Sequence, residues 1–139
     1  PLAAEACNLL LLQILLLLYR RAPELFTASD RENTEIVRHI QSRFESDFRQ
    51  EFSLQSLASE YHLSTFYLCH IFKSITGYPL MGHLQSCRIA AAKKYLTKTS
   101  WRIGEIVEAC GFRDNSNFSR TFKAETGLSP TEFRRKYTE

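Results

Sequence analysis

Ser116, Ser119, Arg120 and Lys123 recur at positions i, i+3, i+4 and i+7. On a helix that spacing collects them in one stripe. Short hydroxyl and amide groups near the start, Asn115 among them, let a backbone come close to another surface. Arg120 can reach two acceptors on one base edge, and Lys123, a turn later, can meet a phosphate. Phe118 and Phe122, four apart between them, make an opposite, inward edge. The surface this suits is a major groove of DNA, which admits an α-helix and presents donors and acceptors at base edges. Helix N-termini add their own attraction for phosphate. Asp114 is read as a helix cap only.

The same device lies 50 residues upstream. Leu68 falls on Phe118, Phe72 on Phe122, Lys73 on Lys123, Thr76 on Thr126, Gly77 on Gly127, and Ser64 on Asp114. Further upstream the shift becomes 49, with Leu57 on Ile106, Ala58 on Val107, His62 on Gly111 and Leu63 on Phe112. Each unit is a short helix, a tight turn and a longer helix, which is the helix-turn-helix pattern. Gly111 supplies a positive φ, and His62 stands at the equivalent place. The first unit's inward stripe is Leu68, Ile71, Phe72 and Ile75; its outward stripe is Phe66, Cys69, His70 and Lys73. That face is less polar than its copy. Phe66 and Cys69 suit thymine methyls, and His70 can donate to a base or phosphate.

Charge distribution points the same way. The net charge is only +3, but Tyr61 to Gly104 contains no Asp or Glu, while Lys73, Arg88, Lys93, Lys94, Lys98 and Arg102 lie within it. A basic-only window suits a polyanion partner, although a solvated basic surface explains it equally well. Hydrophobic residues make up 44% of the 139-residue chain, a globular composition. Cys7, Cys69, Cys87 and Cys110 form no CxxC pair, so neither a disulfide framework nor a zinc knuckle is expected. They read as reduced, mostly buried thiols of a cytoplasmic protein. His83 and Cys87, four apart, are two metal ligands without a third. No cofactor and no metal is expected. No paired carboxylates, nucleophile–base pair or phosphate-cradling glycine loop points to an enzyme.

These stripes must be held by helices, and no alternating β pattern is present. The fold class is all-α. A Leu-rich helix is expected over 3–19; its apolar run is too short to span a membrane, and its arginines follow the run, unlike a secretory signal. A helix apolar all round needs burial on several sides, so 1–21 reads as the end of a missing N-terminal domain or a surface that pairs with another chain. Residues 22–31 read as a linker. An amphipathic helix over 32–50 follows, with Ile36, Val37, Ile40, Phe44 and Phe48 on its stripe. Then come a first helix-turn-helix at 54–77, a linking helix at 79–97 begun by Pro79, a second helix-turn-helix at 103–127 and a terminal helix at 130–137.

With LASEYHLSTFYLCHIFKSITG (57–77), CRIAAAKKYL (87–96) and IGEIVEACGFRDNSNFSRTFKAETGLSPTEFR (103–134) in place, the chain resembles the C-terminal DNA-binding domain of the AraC/XylS family of bacterial transcription regulators. The resemblance covers about 33–137. It implies two homeodomain-like three-helix repeats joined by a long helix, with two recognition helices entering successive major grooves of double-stranded DNA. Carried over by position, the first reader is Thr65, Phe66, Cys69, His70 and Lys73. The second is Asn115, Ser116, Ser119, Arg120 and Lys123. Leu68, Phe72, Phe118, Phe122 and Pro130 match scaffold positions. Four positions depart from the family pattern: Cys69-His70 replaces a more polar pair, His83 replaces an aromatic, and Val107 replaces an alanine.

The resemblance further implies a transcriptional activator with no catalytic role. RNA polymerase is expected as a partner through Glu108, Arg113 or Asp114. An effector molecule is expected to bind outside this chain, and a homodimer to form through the Leu-rich helix or a missing N-terminal domain. The competing expectation is a helical protein-interaction module whose basic face meets an acidic protein.

Overall fold

Ser53, Ser64, Asp114 and Ser129 each accept a hydrogen bond from the backbone three residues on, and each stands just before a helix. Such caps satisfy N–H groups that a helix cannot satisfy internally. The computed structural model describes residues 2–21 and 23–138. Their helices are α1 (Leu2–Arg21), α2 (Pro23–Asp47), α3 (Leu54–Glu60), α4 (Thr65–Thr76), α5 (Leu80–Lys98), α6 (Ile103–Ala109), α7 (Asn115–Thr126) and α8 (Pro130–Tyr137). No strand occurs among the described residues. The all-α expectation holds. The linking helix begins one residue later than expected, because Pro79 takes the extended cap position and leaves the first helical turn to Leu80.

Two compact units divide between Ile36 and Val37. In the first, α1 carries Leu9–Leu12 and Ile14–Leu18 with 51–60% of each side chain exposed. No helix among the described residues is long and apolar enough to cross a membrane. The expected linker at 22–31 is corrected: α2 already starts at Pro23, while Ala22 lies outside the described residues. Proline at a first helical position gives up an N–H that had no partner anyway. No glycine interrupts 23–31, and lack of an apolar stripe is no bar to a helix.

In the second unit, α5 packs against α4, α6, α7 and α8. Val37, Ile40 and Phe44 of α2, Leu57 and Ala58 of α3, and Leu68, Ile71 and Phe72 of α4 are buried. Leu80 and Leu84, from the first half of α5, are buried as well. Ile89, Ala92 and Leu96, from its second half, join Ile106, Val107, Cys110, Phe112, Phe118 and Phe122 in one cluster. Phe112, Phe118, Phe122 and Phe133 form a chain of ring contacts with centroids 5.1, 5.6 and 5.3 Å apart. Removing one such buried ring costs about 3–5 kcal/mol. Val107, set against an expected alanine, is accommodated at 4% exposure.

Ile75 is a correction: it was placed on the inward stripe but is 44% exposed. Its repeat counterpart is Glu125, also exposed, so the last turn of each recognition helix runs past its packing partners. The thiols are less buried than expected: Cys110 is buried, but Cys69 and Cys87 are only partly so. The Cys7 side chain lies outside the described residues.

The repeat extends to individual hydrogen bonds. Leu63 N–H donates to Ala58 and Phe112 N–H to Val107; His62 N–H donates to Ser59 and Gly111 N–H to Glu108. Both turns therefore close the same way, at φ 55° for His62 and 80° for Gly111. Thr76 and Thr126 each donate a hydroxyl to the carbonyls of Phe72 and Tyr78, or Phe122 and Leu128. Gly77 and Gly127 end α4 and α7 in left-handed conformation.

Gly111 and Gly127 differ in what surrounds them. A Cβ on Gly111 would lie 2.6 Å from the Arg49 carbonyl oxygen, whereas one on Gly127 would meet nothing within 4 Å. Gly127→Ala is expected to cost about 1–2 kcal/mol, the left-handed penalty alone. Gly111→Ala should cost about 3 kcal/mol or more, because backbone must also move. Urea denaturation of both variants checks the order; equal losses would refute it.

Candidate nucleic-acid interface

The chemistry-bearing residues lie where capped helices can hold them outward. In α7 the Asp114 carboxylate accepts from the Asn117 N–H at 2.7 Å, and Phe118 and Phe122 are fully buried. Anchoring that edge turns the other outward: Asn115, Ser116, Arg120 and Lys123 are exposed and Ser119 is half-buried. In α4 Ser64 caps Tyr67 N–H at 3.1 Å, and Leu68 and Phe72 are fully buried. Phe66, His70 and Lys73 are exposed, while Thr65 and Cys69 are half-buried. Pro130 is buried at the start of α8, a scaffold place as expected. Each set of five thus occupies one helix, and both helices pack on α5. Neither Arg120, Lys123 nor Lys73 forms a salt bridge among the described residues.

Not every cation of the basic window belongs to that surface. Arg88 is half-buried; its Nε donates to the Phe48 carbonyl and its Nη2 to the Gln50 carbonyl, both at 2.8 Å. Its guanidinium also sits 5.9 Å from the Phe112 ring centre. Burial lowers its pKa, but it stays a cation serving the fold. Arg134 does likewise, donating to the Leu96 and Trp101 carbonyls at 3.2 and 2.7 Å. Both clamps escaped the sequence reading. The available signal was an arginine beside apolar helix positions, Ile89 and Phe133.

His83 packs between Phe44 and Phe72, with ring centres 6.3 and 5.7 Å away. Its counterpart in the second unit is Phe133, against Phe122. The imidazole thus fills an aromatic place, and its buried Nε2 has no hydrogen-bond partner. No group of three metal-ligating side chains occurs among the described residues. Burial pushes the Cys110 thiol up to about 12, so it is a neutral core group near pH 7.

The match to known proteins now follows. A helix-turn-helix domain family matches residues 57–136, the span holding both units. The chain belongs to the AraC/XylS family. It is 35% identical to the bifunctional transcriptional activator/DNA repair enzyme AdaA of Bacillus subtilis, over 73% of this chain and 48% of that protein. It is 28% identical to the transcriptional activator RhaR of Yersinia pseudotuberculosis, over 96% of this chain and 46% of that one. The C-terminal domain of AraT, a response regulator from Geobacillus stearothermophilus, superposes with TM-score 0.69 and 31% identity, covering 73% of this chain and 84% of that one. The chain thus spans less than half the length of the curated relatives it matches.

The Asp114 cap sets where α7 begins. Asp114→Ala is expected to cost about 1 kcal/mol of stability and Asp114→Asn much less. Thermal melts of both variants check this; an Asn variant as unstable as the Ala variant would show that capping is not the role.

Proposed function

We propose that this chain is the sequence-specific DNA-binding part of a bacterial, cytoplasmic transcription activator and has no catalytic role itself. One observation carries the reading: two copies of one unit turn equivalent faces of α4 and α7 outward while fully burying Leu68 and Phe72, or Phe118 and Phe122, on the opposite edges. Exposed, unpaired cations with hydroxyl and amide groups at a helix start suit base edges and phosphates. The two helices would enter successive major grooves, about one helical turn apart. Two of its relatives, AdaA and RhaR, are named as activators, which supports that sign of regulation.

Glu108 is the most available contact for RNA polymerase. It is exposed, whereas Asp114 is occupied in capping and Arg113 lies 3.5 Å from Glu51. The bare leucines of α1 support a homodimer through that helix, or contact with an effector-binding domain elsewhere in the longer protein. Selection of bound sequences from random DNA tests the reading. One site, long enough for two grooves, is expected. Equal binding to all sequences would favour a basic face for an acidic protein instead.

Arg120→Ala should lose about 1–3 kcal/mol at the selected site and relax preference at one base pair. Unchanged preference across a site-variant library would remove Arg120 from base reading. Lys123→Ala should weaken all sequences alike and flatten the salt dependence by about one unit of slope. A loss confined to one base pair would contradict its phosphate role.

A further inference from the structure

Phe66 is 82% exposed at the first turn of α4, more than any other large apolar side chain described. Its place in the repeat is that of Ser116, and Cys69 holds that of Ser119. A folded chain gains nothing by holding a bare phenylalanine in water. On a helix fixed by Leu68 and Phe72, both fully buried, Phe66 cannot turn inward. The Cys69 thiol is free, half-exposed and one turn further along the same stripe. Together they make an apolar spot at the leading end of a helix whose last turn carries Lys73.

We propose that α4 identifies its half of the site by the C5-methyl groups of thymines, taken against Phe66 and Cys69. This rests on the DNA-binding reading above. In the major groove that methyl is the one apolar feature of the base-pair edges. Position 70, where α7 has Arg120, holds His70, a shorter side chain without a bidentate fork. The division of labour is then chemical: α7 reads by hydrogen bonds and α4 by methyl contact. A cation-bearing last turn, common to both at Lys73 and Lys123, keeps the apolar spot on nucleic acid rather than on an apolar protein partner.

The test uses the full chain and the duplex selected from random DNA. Thymines are replaced by deoxyuridine one at a time, which deletes only the methyl. At one or two positions the replacement should weaken binding about fourfold per methyl. In the double variant Phe66→Ser, Cys69→Ser, which installs both residues of the second unit, those positions should bind thymine and uracil equally. In Arg120→Ala the discrimination should persist. The exposure of Phe66 means that the serine variant keeps its fold, checked by its melting temperature. A selected site that binds specifically yet ignores every uracil replacement overturns the methyl proposal and leaves the DNA reading intact. So does uracil sensitivity that survives in the double variant. If no sequence is selected at all, the DNA reading itself falls, and this proposal with it.

Discussion

The face of each recognition helix depends on one helix, α5, being buried along two stretches that serve different partners. Leu80 and Leu84 are buried in its first half, where His83 contacts Phe44 and Phe72. Ile89, Ala92 and Leu96 belong to the cluster of α6 and α7 in its second half. Close-packed interiors resist sliding, so rotating α5 to improve one core would expose the other. Its polar positions must fit the gap between. Arg88 stands at the changeover and fixes the Phe48 and Gln50 carbonyls with a two-pronged guanidinium, a geometry a lysine ammonium does not reproduce. The segment that Arg88 holds also carries the Arg49 carbonyl, which lies where a Cβ on Gly111 would sit. The turn of the second unit is thereby tied to the chain leaving α2.

The two units have diverged where they face outward and stayed alike where they close. Turn hydrogen bonds, threonine hydroxyls and left-handed glycines match pair by pair. Those groups answer to backbone geometry, which leaves few solutions. The outward positions answer to no packed core, so Phe66 and Ser116, or His70 and Arg120, differ without disturbing the fold. Inward, His83 stands against Phe133, an imidazole kept where its buried Nε2 finds no partner.

Much of this was legible in the order of residues because its causes are local. Caps, turns, helix starts and the division of α7 into two edges depend on residues within a few positions of one another. The 50-residue repeat then made each unit a check on the other, and the ten proposed reader positions rest on it and on the family resemblance. Periodicity misled where an element ran past its partners. Ile75 has the spacing of a buried residue but sits in the last turn of α4 and is 44% exposed. Residues 23–31 have no stripe and are helical nonetheless.

By itself, then, the sequence determined most of the helices, their caps and the inward edge at Phe118 and Phe122, since these are set by neighbours a turn or less away, and it carried the duplication as a 50-residue shift. Tertiary structure decided what rests on distant groups. The Arg88 and Arg134 clamps reach carbonyls 33 to 40 residues away in the chain. The bare surface of Phe66, the covered surface of Cys110 and the approach of Gly111 to Arg49 are likewise set by packing. A residue type states what a side chain can do; only the packed neighbours decide whether it meets a carbonyl, a ring or open solvent.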